Sequence, residues 1–334
     1  MLTRRALVAE KIASNQHGRE TILTGHLFCH QASMHKLQRS NQINEIMKRT
    51  LYILTLFITL SAMRSDLPAY KLYNAKGKSA DFGKLVEAAS EADIVLFGEL
   101  HNNPVCHWLQ LELTRALYEL KGDKLMLGAE MFEADNALII REYLSRKVND
   151  RNFESEARLW PNYKTDYKPL LVYARDNGIP FIATNIPRRY ASLVNREGFE
   201  GLSELSPEAL QYIAPLPPAY DPELPGYKGM IEMMGGAGGH VNENLPKAQA
   251  IKDATMAHFI LKNFSSGGLF LHFHGTYHSD NYEGIVWYLK NQNPDLKILT
   301  IKSAEQVSVD SLEEANSGKA DFTLVIPETM TKTH

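Results

Sequence analysis

Two copies of the pattern Gly-x-x-His carry the side chains best suited to chemistry in this 334-residue chain. The first copy contains Glu99 and His101, the second ends at His278, and a further carboxylate, Glu130, lies between the two copies. Two carboxylates and two imidazoles can hold a divalent metal such as zinc or manganese, with an open position for water. Without a metal, Glu99 paired with His101 or His278 can act as a general base toward water.

Apolar runs of strand length precede these residues and predict the elements that position them. The first four runs are each followed by a polar or glycine-bearing turn and then by an amphipathic helical stretch. The six predicted strands are 94–97, 125–127, 180–183, 269–273, 296–301 and 322–326. Strands that alternate with helices and are apolar on both faces predict an α/β fold. We therefore expect a mostly parallel sheet flanked by helices on both faces.

Polar side chains follow four of the predicted strands at their carboxyl ends. Ligands of open parallel sheets bind beyond these strand ends, so the side chains are expected to converge on one rim. Burying carboxylates and imidazoles together costs several kcal/mol unless a metal, a ligand or mutual pairing compensates. The convergence therefore predicts a functional site. Its residues are Glu99 and His101, Glu130, Asn185 and Arg188, and His274 with His278.

Residues 198–246 interrupt the alternation of strands and helices. Three proline-containing clusters lead into a glycine-rich run at 235–239. This run does not join a strand to a helix, so it does not have the context of a phosphate-binding loop. A long proline- and glycine-rich insertion is typical of a lid or a peripheral subdomain.

The N-terminal 62 residues have the character of a leader. Residues 1–46 show no sustained period, which predicts a disordered segment or a mis-assigned start upstream of Met47. Residues 47–62 combine a basic start, an apolar run at 51–60 and a small residue at Ala62, the pattern of a secretory signal peptide. We expect 63–334 to form a single exported domain, periplasmic or associated with the cell envelope.

Composition excludes several classes of protein. With 36 Lys and Arg against 39 Asp and Glu, the chain lacks the positive surplus of nucleic-acid-binding proteins. Two cysteines cannot form a disulfide framework. No apolar run reaches the length of a transmembrane helix, so no membrane span is expected.

The ordered motifs resemble one known family. The run Gly98-Glu99-Leu100-His101-Asn102-Asn103-Pro104 is similar to the opening motif of the ChaN-like haem-binding proteins, within the superfamily of the Tiki and TraB proteins. The similarity continues through five later blocks, which are 129–132, Trp160 with Tyr167 ahead of a helix, 185–188, matched positions within 249–257, and 275–278 followed by Gly284 and Ile285. Two Gly-x-x-His copies are the signature of the superfamily, and the ordered set spans residues 94–290.

The resemblance implies an exported protein that binds haem, assists haem and iron uptake and forms a homodimer around haem. Tyrosinate suits ferric haem iron, and arginine suits the haem propionates. The candidate haem-contacting residues are Tyr163, Tyr167, Tyr220, Tyr227, Arg188 and Asn185.

Two alternatives stay open at the level of sequence. Relatives in the superfamily include metal-dependent proteases and esterases, which implies a metal-dependent hydrolase that uses Glu99, His101, Glu130 and His278. The other alternative is a structural α/β protein whose polar rim serves only an intermolecular contact.

Overall fold

The computed structural model describes residues 36, 39, 42–53, 55, 67–235 and 242–334. The chain divides into two compact units, 1–67 and 68–334. In the first unit residues 42–53 and the single positions 36, 39 and 55 are helical, and the other positions of the predicted leader and signal peptide lie outside the described residues. No helix in the described part of the chain is long and apolar enough to cross a membrane.

The second unit is built on an eight-stranded sheet with the order β2-β1-β8-β7-β3-β6-β4-β5. The strands are β1 (Lys71–Asn74), β2 (Ser79–Ala80), β3 (Ile94–Glu99), β4 (Leu125–Glu133), β5 (Phe181–Asn185), β6 (Leu269–Gly275), β7 (Ile298–Gln306) and β8 (Phe322–Pro327). Strand β1 pairs antiparallel with β2 and β8, and the other neighbours pair in parallel. The predicted α/β fold with a mostly parallel sheet is confirmed.

The central strands are apolar on both sides because each side faces its own layer of helices. In β3, Val95 and Phe97 belong to one core, whereas Ile94 and Leu96 belong to the other. This alternation is the period of two that extended backbone imposes. It also places Glu99, two residues after Phe97, on the first side.

Helices cover both faces of the sheet. The described helices of this unit are α1 (Phe82–Ser90), α2 (Pro104–Lys121), α3 (Ala137–Leu144), α4 (Asp150–Glu156), α5 (Lys168–Asn177), α6 (Arg188–Glu197), α7 (Pro207–Leu210), α8 (Pro225–Gly235), α9 (Leu245–Asn263) and α10 (Ile285–Gln292), with a π-helical turn at Tyr163–Tyr167. Helices α1 to α5 contribute buried side chains to the first core, and α6, α9 and α10 contribute to the second.

The predicted insertion at 198–246 packs against the second core. Leu202, Ile213 and Ala214 are buried there, and the Ala214 backbone N–H donates to Thr255 Oγ1 of α9 at 3.2 Å. Residues 236–241 of the glycine-rich run, with His240, lie outside the described residues.

The hairpin of β1 and β2 is the part of the sheet that the sequence analysis did not predict. These strands are four and two residues long, and β2 lies at the edge of the sheet. Strand β1 has only two buried residues, Leu72 and Tyr73, and β2 is an edge strand of two residues, so neither contains an apolar run of the length that predicts a strand.

Candidate functional site

The carboxyl ends of β3, β4 and β6 bring the four predicted residues together around the backbone of Gly275. Glu99 is paired with Gly275 in the register of β3 and β6. Glu130 Oε2 accepts a hydrogen bond from the Gly275 N–H at 2.8 Å, and His278 Nε2 lies 3.2 Å from Glu130 Oε1. A Cβ atom on Gly275 would lie 2.8 Å from His101 Nε2, so glycine provides the room that this imidazole occupies.

Glu130 lies at an irregular point of β4. Pairing of β4 with β6 ends at Ala129, and the register with β5 shifts between Ala129 and Glu133. A shift of this kind redirects side chains and is common beside functional sites. It allows the Glu130 carboxylate to reach Gly275 across the end of β6.

Glu99 is fully buried and accepts three hydrogen bonds. Its Oε1 receives the Tyr167 hydroxyl at 2.7 Å and lies 2.9 Å from His101 Nδ1, while its Oε2 receives the Gln110 amide at 2.6 Å. Helix α2 supplies Gln110, and the π-helical turn supplies Tyr167. Because Nδ1 of His101 is engaged by Glu99, the ring is held with Nε2 facing Gly275.

His101 has the most accessible side chain of the four, with 41 % of it exposed. Its ring meets Trp160 edge-on at a centroid distance of 4.9 Å. The Asn162 amide donates to the His101 backbone carbonyl at 2.9 Å. Burial acts to lower the pKa of His101, but the hydrogen bond to Glu99 and the charge of Glu130 outweigh burial and raise it. His101 is therefore the group through which a bound molecule can reach the cluster.

His278 lies between two buried carboxylates. Its Nδ1 is hydrogen-bonded to Asp253, and its Nε2 faces Glu130. Burial opposes protonation, but Glu130 and Asp253 together raise the pKa of His278 to about 10. Burial would raise the pKa of Glu130, yet the positive charge and hydrogen bond of His278 hold it well below its ordinary value. An imidazolium with both N–H groups engaged is thus a fixed part of the site.

The carboxylate of Asp253 is itself supported from the insertion. Tyr227 of α8 donates its hydroxyl to Asp253 Oδ2 at 2.8 Å, and both residues are buried. The Gln249 amide, one turn earlier in α9, lies 2.8 Å from His278 Nδ1. Helices α8 and α9 therefore complete the site that the strand ends begin.

His272 and His274 are held in a separate hydrogen-bonded chain. Thr184 Oγ1 donates to the Ala129 carbonyl, so the hydroxyl accepts from His272 Nε2 at 2.7 Å. His272 Nδ1 then accepts from His274 Nδ1 at 3.1 Å, and His274 Nε2 accepts from Ser279 at 2.8 Å. Burial lowers the pKa of His272 to about 3 and that of His274 well below its ordinary value. Both rings are neutral, and all their nitrogens are used within the protein.

The prediction of a zinc or manganese site at Glu99, His101, Glu130 and His278 is not supported. Among residues 67–235 and 242–334 and the other described positions, no group of three or more His, Cys, Asp or Glu is arranged to hold a metal ion. The physical reason is pairing within the protein. His278 is hydrogen-bonded to Asp253 through Nδ1 and faces Glu130 through Nε2, and Glu99 accepts from Tyr167 and Gln110.

Two of the four tyrosines predicted as haem ligands are engaged by buried carboxylates, and the other two pack among aromatic side chains. Tyr167 and Tyr227 donate to Glu99 and Asp253, and burial together with these carboxylates raises the pKa of both hydroxyls. Tyr163 is buried in the first core beside Phe132 and Phe153, and burial raises its pKa as well. Tyr220 packs edge-on against Phe199 in the insertion. These environments oppose the tyrosinate form that ferric iron requires.

The two residues predicted at the end of β5, Asn185 and Arg188, lie in different environments. Asn185 is buried and donates its amide to the Glu130 backbone carbonyl at 3.0 Å, so it supports the cluster from the side. Arg188 is exposed at the start of α6. Its neighbour Arg189 forms an ion pair with Asp135 at 2.6 Å.

The site contains functional residues that the sequence analysis did not assign. Asp253 and Gln249 in α9 belong to a block of the family resemblance to which no role was assigned, and no prediction was made for Gln110. A usable signal existed for Asp253, since it lies among Ile251, Ala254 and Ala257 on a helix that is otherwise apolar at these positions. A carboxylate in such a position requires a buried partner.

A comparison with protein families decides where this arrangement belongs. The family model described as "Haem-binding uptake, Tiki superfamily, ChaN" matches residues 85–289, more than half of the chain. The chain belongs to this family. The matched span includes all four strand-end residues of the site, and Asp253 as well. The ChaN-like resemblance predicted from the motifs is thereby confirmed.

One solved structure and one curated protein are similar to this ChaN family member. The structure titled "Cofacial heme binding to ChaN of Campylobacter jejuni" matches with a TM-score of 0.60 and 14 % identity, over 77 % of this chain and 96 % of that one. "Protein RETICULATA-RELATED 5, chloroplastic" of Arabidopsis thaliana is 28 % identical over 203 residues, 56 % of this chain. The match spans 27 % of the length of that curated relative.

Proposed function

We propose that this chain binds haem and acts as an accessory to haem and iron uptake. The observation that carries the proposal is the family match across residues 85–289, because the family is described by haem-binding uptake. The similarity to a Campylobacter jejuni ChaN with cofacial haem supports the same conclusion at the level of fold. Bound haem would supply an iron centre and two carboxylates that the protein must recognise.

The two carboxylates of the strand-end cluster are already engaged within the protein. Glu99 accepts from His101 and Tyr167, and Glu130 accepts from the Gly275 N–H and faces His278. Iron ligation by either carboxylate would break hydrogen bonds that satisfy a buried charge. We therefore propose that neither Glu99 nor Glu130 is a haem ligand.

The test is incubation of the full chain with hemin, followed by gel filtration read at protein and haem wavelengths. Co-elution of both signals supports haem binding. A shift of the protein peak to twice the apparent mass on adding hemin supports the homodimer around haem that the family resemblance implies. Elution of hemin apart from the protein would overturn the proposed function.

Export is proposed on the signal-peptide pattern of residues 47–62. N-terminal sequencing of the natural protein tests it, with a start immediately after Ala62 as the expected result. A natural protein that begins at Met1, or one that fractionates inside the cell or inside an organelle, would contradict an exported location.

Hydrolysis is a second candidate function, favoured by the pair of Glu99 and His101. A carboxylate that engages Nδ1 and leaves Nε2 facing an accessible position is an arrangement for general-base activation of water. A panel of small chromogenic esters tests this activity. His101→Gln should lower the rate by about 100-fold or more, whereas the exposed His334→Gln should not change it. Equal rates for both variants would remove this candidate.

A further inference from the structure

The amino end of α8 is fastened to the second Gly-x-x-His motif through the backbone of Gly226. The Gly226 N–H donates to Glu283 Oε2 at 2.7 Å, and the Gly226 carbonyl accepts from the Tyr277 hydroxyl. Tyr277 lies within the motif, and Glu283 follows shortly after it. We call these two hydrogen bonds the Gly226 clasp. The clasp leaves no room for a side chain at position 226, because a Cβ atom there would lie 2.9 Å from Glu283 Oε2.

The next residue of α8 reaches the strand-end cluster. Tyr227 is buried, and its hydroxyl donates to Asp253 Oδ2 at 2.8 Å. The other oxygen of that carboxylate, Oδ1, is hydrogen-bonded to His278 Nδ1. Gly226 therefore meets Tyr277 directly, and Tyr227 meets the following residue of the motif, His278, through Asp253. Helix α8 cannot leave the motif without breaking both connections.

Helix α8 buries few side chains. Among its described side chains, at positions 225–233, Tyr227 alone is buried, and Met233 is 82 % exposed. An element that buries few apolar side chains opens at a lower free energy than the core strands of the same protein. Asp253 is only 1 % exposed while Tyr227 is in place. Detachment of α8 would therefore open the Asp253 side of the cluster at little cost to the sheet.

We propose that α8 is a lid on the second Gly-x-x-His motif. The Gly226 clasp holds the lid closed, and Tyr227 is the positioning residue through which the closed lid fixes Asp253 against His278. Because the two connections are coupled, any change that draws Asp253 away from Tyr227 also favours release of the clasp, and release of the clasp frees Asp253 in turn. Lids of this kind control access to a site and complete it on closing. The inference is independent of haem binding.

The first test is hydrogen–deuterium exchange of the full chain, read by mass spectrometry. We expect the α8 amides to exchange at denaturant concentrations at which β3 and β6 stay protected. Gly226→Ala should speed exchange in α8 by about tenfold, the effect of losing one to two hydrogen bonds. The matched control is Gly229→Ala in the same helix, whose added Cβ would meet none of the described atoms within 4 Å. Both variants gain the same helix propensity, so the difference between them isolates the clasp.

A second pair of variants tests the clasp without adding an atom. Tyr277→Phe removes the hydroxyl that donates to Gly226 and should speed exchange in α8 by about three- to tenfold. Tyr282→Phe is the matched control, because the Tyr282 hydroxyl contacts Asp321 and not α8. It should leave exchange in α8 unchanged.

The second test separates a positioning role of Tyr227 from a merely structural one. In Tyr227→Phe we expect the imidazole resonances of His278 to move in NMR spectra, because its carboxylate partner loses a donor. The resonances of His272 and His274 should stay in place, since their hydrogen bonds involve neither residue. Tyr277→Phe should move the His278 resonances in the same direction as Tyr227→Phe does, because an open lid withdraws the same hydroxyl.

Three outcomes would overturn the inference. Exchange of the α8 amides only together with those of β3 and β6 would show that α8 is not a lid. Equal exchange in Gly226→Ala and Gly229→Ala, or in Tyr277→Phe and Tyr282→Phe, would show that the clasp does not hold it. Unmoved His278 resonances in Tyr227→Phe would remove Tyr227 as the positioning residue. If circular dichroism shows Gly226→Ala to be unfolded, the tyrosine pair decides the same question.

Discussion

Removal of the His278 imidazolium is expected to be the most destabilising single change at the site. His278→Gln would leave Glu130 and Asp253 as two buried carboxylates, each at most 5 % exposed, without the cation between them. Removing one partner of a buried ion pair costs about 3–5 kcal/mol. For a unit of this size that corresponds to a fall in Tm of about 6–20 °C.

The assay is thermal unfolding followed by circular dichroism at several pH values. The variant should regain part of its lost stability as the pH falls from 8 to 5, because the buried carboxylates can then take up a proton. The double variant His278→Gln/Asp253→Asn should be more stable than the sum of the two single changes predicts. Arg115→Gln, which removes an exposed ion pair with Glu112, should cost less than about 1 kcal/mol and serves as the control.

A fall in Tm of less than about 2 °C for His278→Gln, together with additive effects in the double variant, would refute the reasoning. Such a result would mean that His278 is neutral in the folded protein and that the two carboxylates do not share its charge.

Three further predictions follow from the same contacts. In the unmodified protein the pKa of His278 is about 10 in the folded state, above its unfolded value of 6.5. The charged His278 therefore contributes fully to the free energy of unfolding below pH 6.5, and this contribution is lost as the pH rises through about 10. Denaturant unfolding between about pH 6 and 11 measures the loss. Gly275→Ala should displace His101, because its Cβ would lie 2.8 Å from Nε2, and should lower the free energy of unfolding by about 1–3 kcal/mol; an unchanged His101 titration in NMR spectra would contradict this. Tyr167→Phe should lower the free energy of unfolding by about 1–3 kcal/mol, since Glu99 loses a buried donor; the same variant should leave hemin affinity unchanged, and a lost Soret shift would instead identify Tyr167 as a haem ligand.

The fold was predictable because its signals are local. Residues 94–97 and 269–273 are apolar at every position or nearly so, and only a strand covered on both faces has that pattern over so few residues. The end of a parallel strand is a fixed place in the fold, so Glu99, Glu130 and His278 could be assigned to one rim from the sequence.

The partners of those residues were not predictable because they are set by tertiary packing. Tyrosine is a residue type that can ligate haem iron, so the sequence made Tyr167 and Tyr227 candidates. In the fold both are hydrogen-bond donors to buried carboxylates. Periodicity locates a side chain on a face, but it does not identify what that face meets.

The order of the strands has a consequence for biosynthesis. Both neighbours of β3 in the sheet, β6 and β7, are encoded more than 160 residues after it. A nascent chain emerging from the ribosome therefore carries β3 with neither of its edges covered until β6 has been translated. During that interval the first Gly-x-x-His segment is available to chaperones, proteases and other chains. Slowing translation just before Leu269 should prolong this exposed state. Synonymous codon choice in that stretch should therefore change the yield of soluble protein.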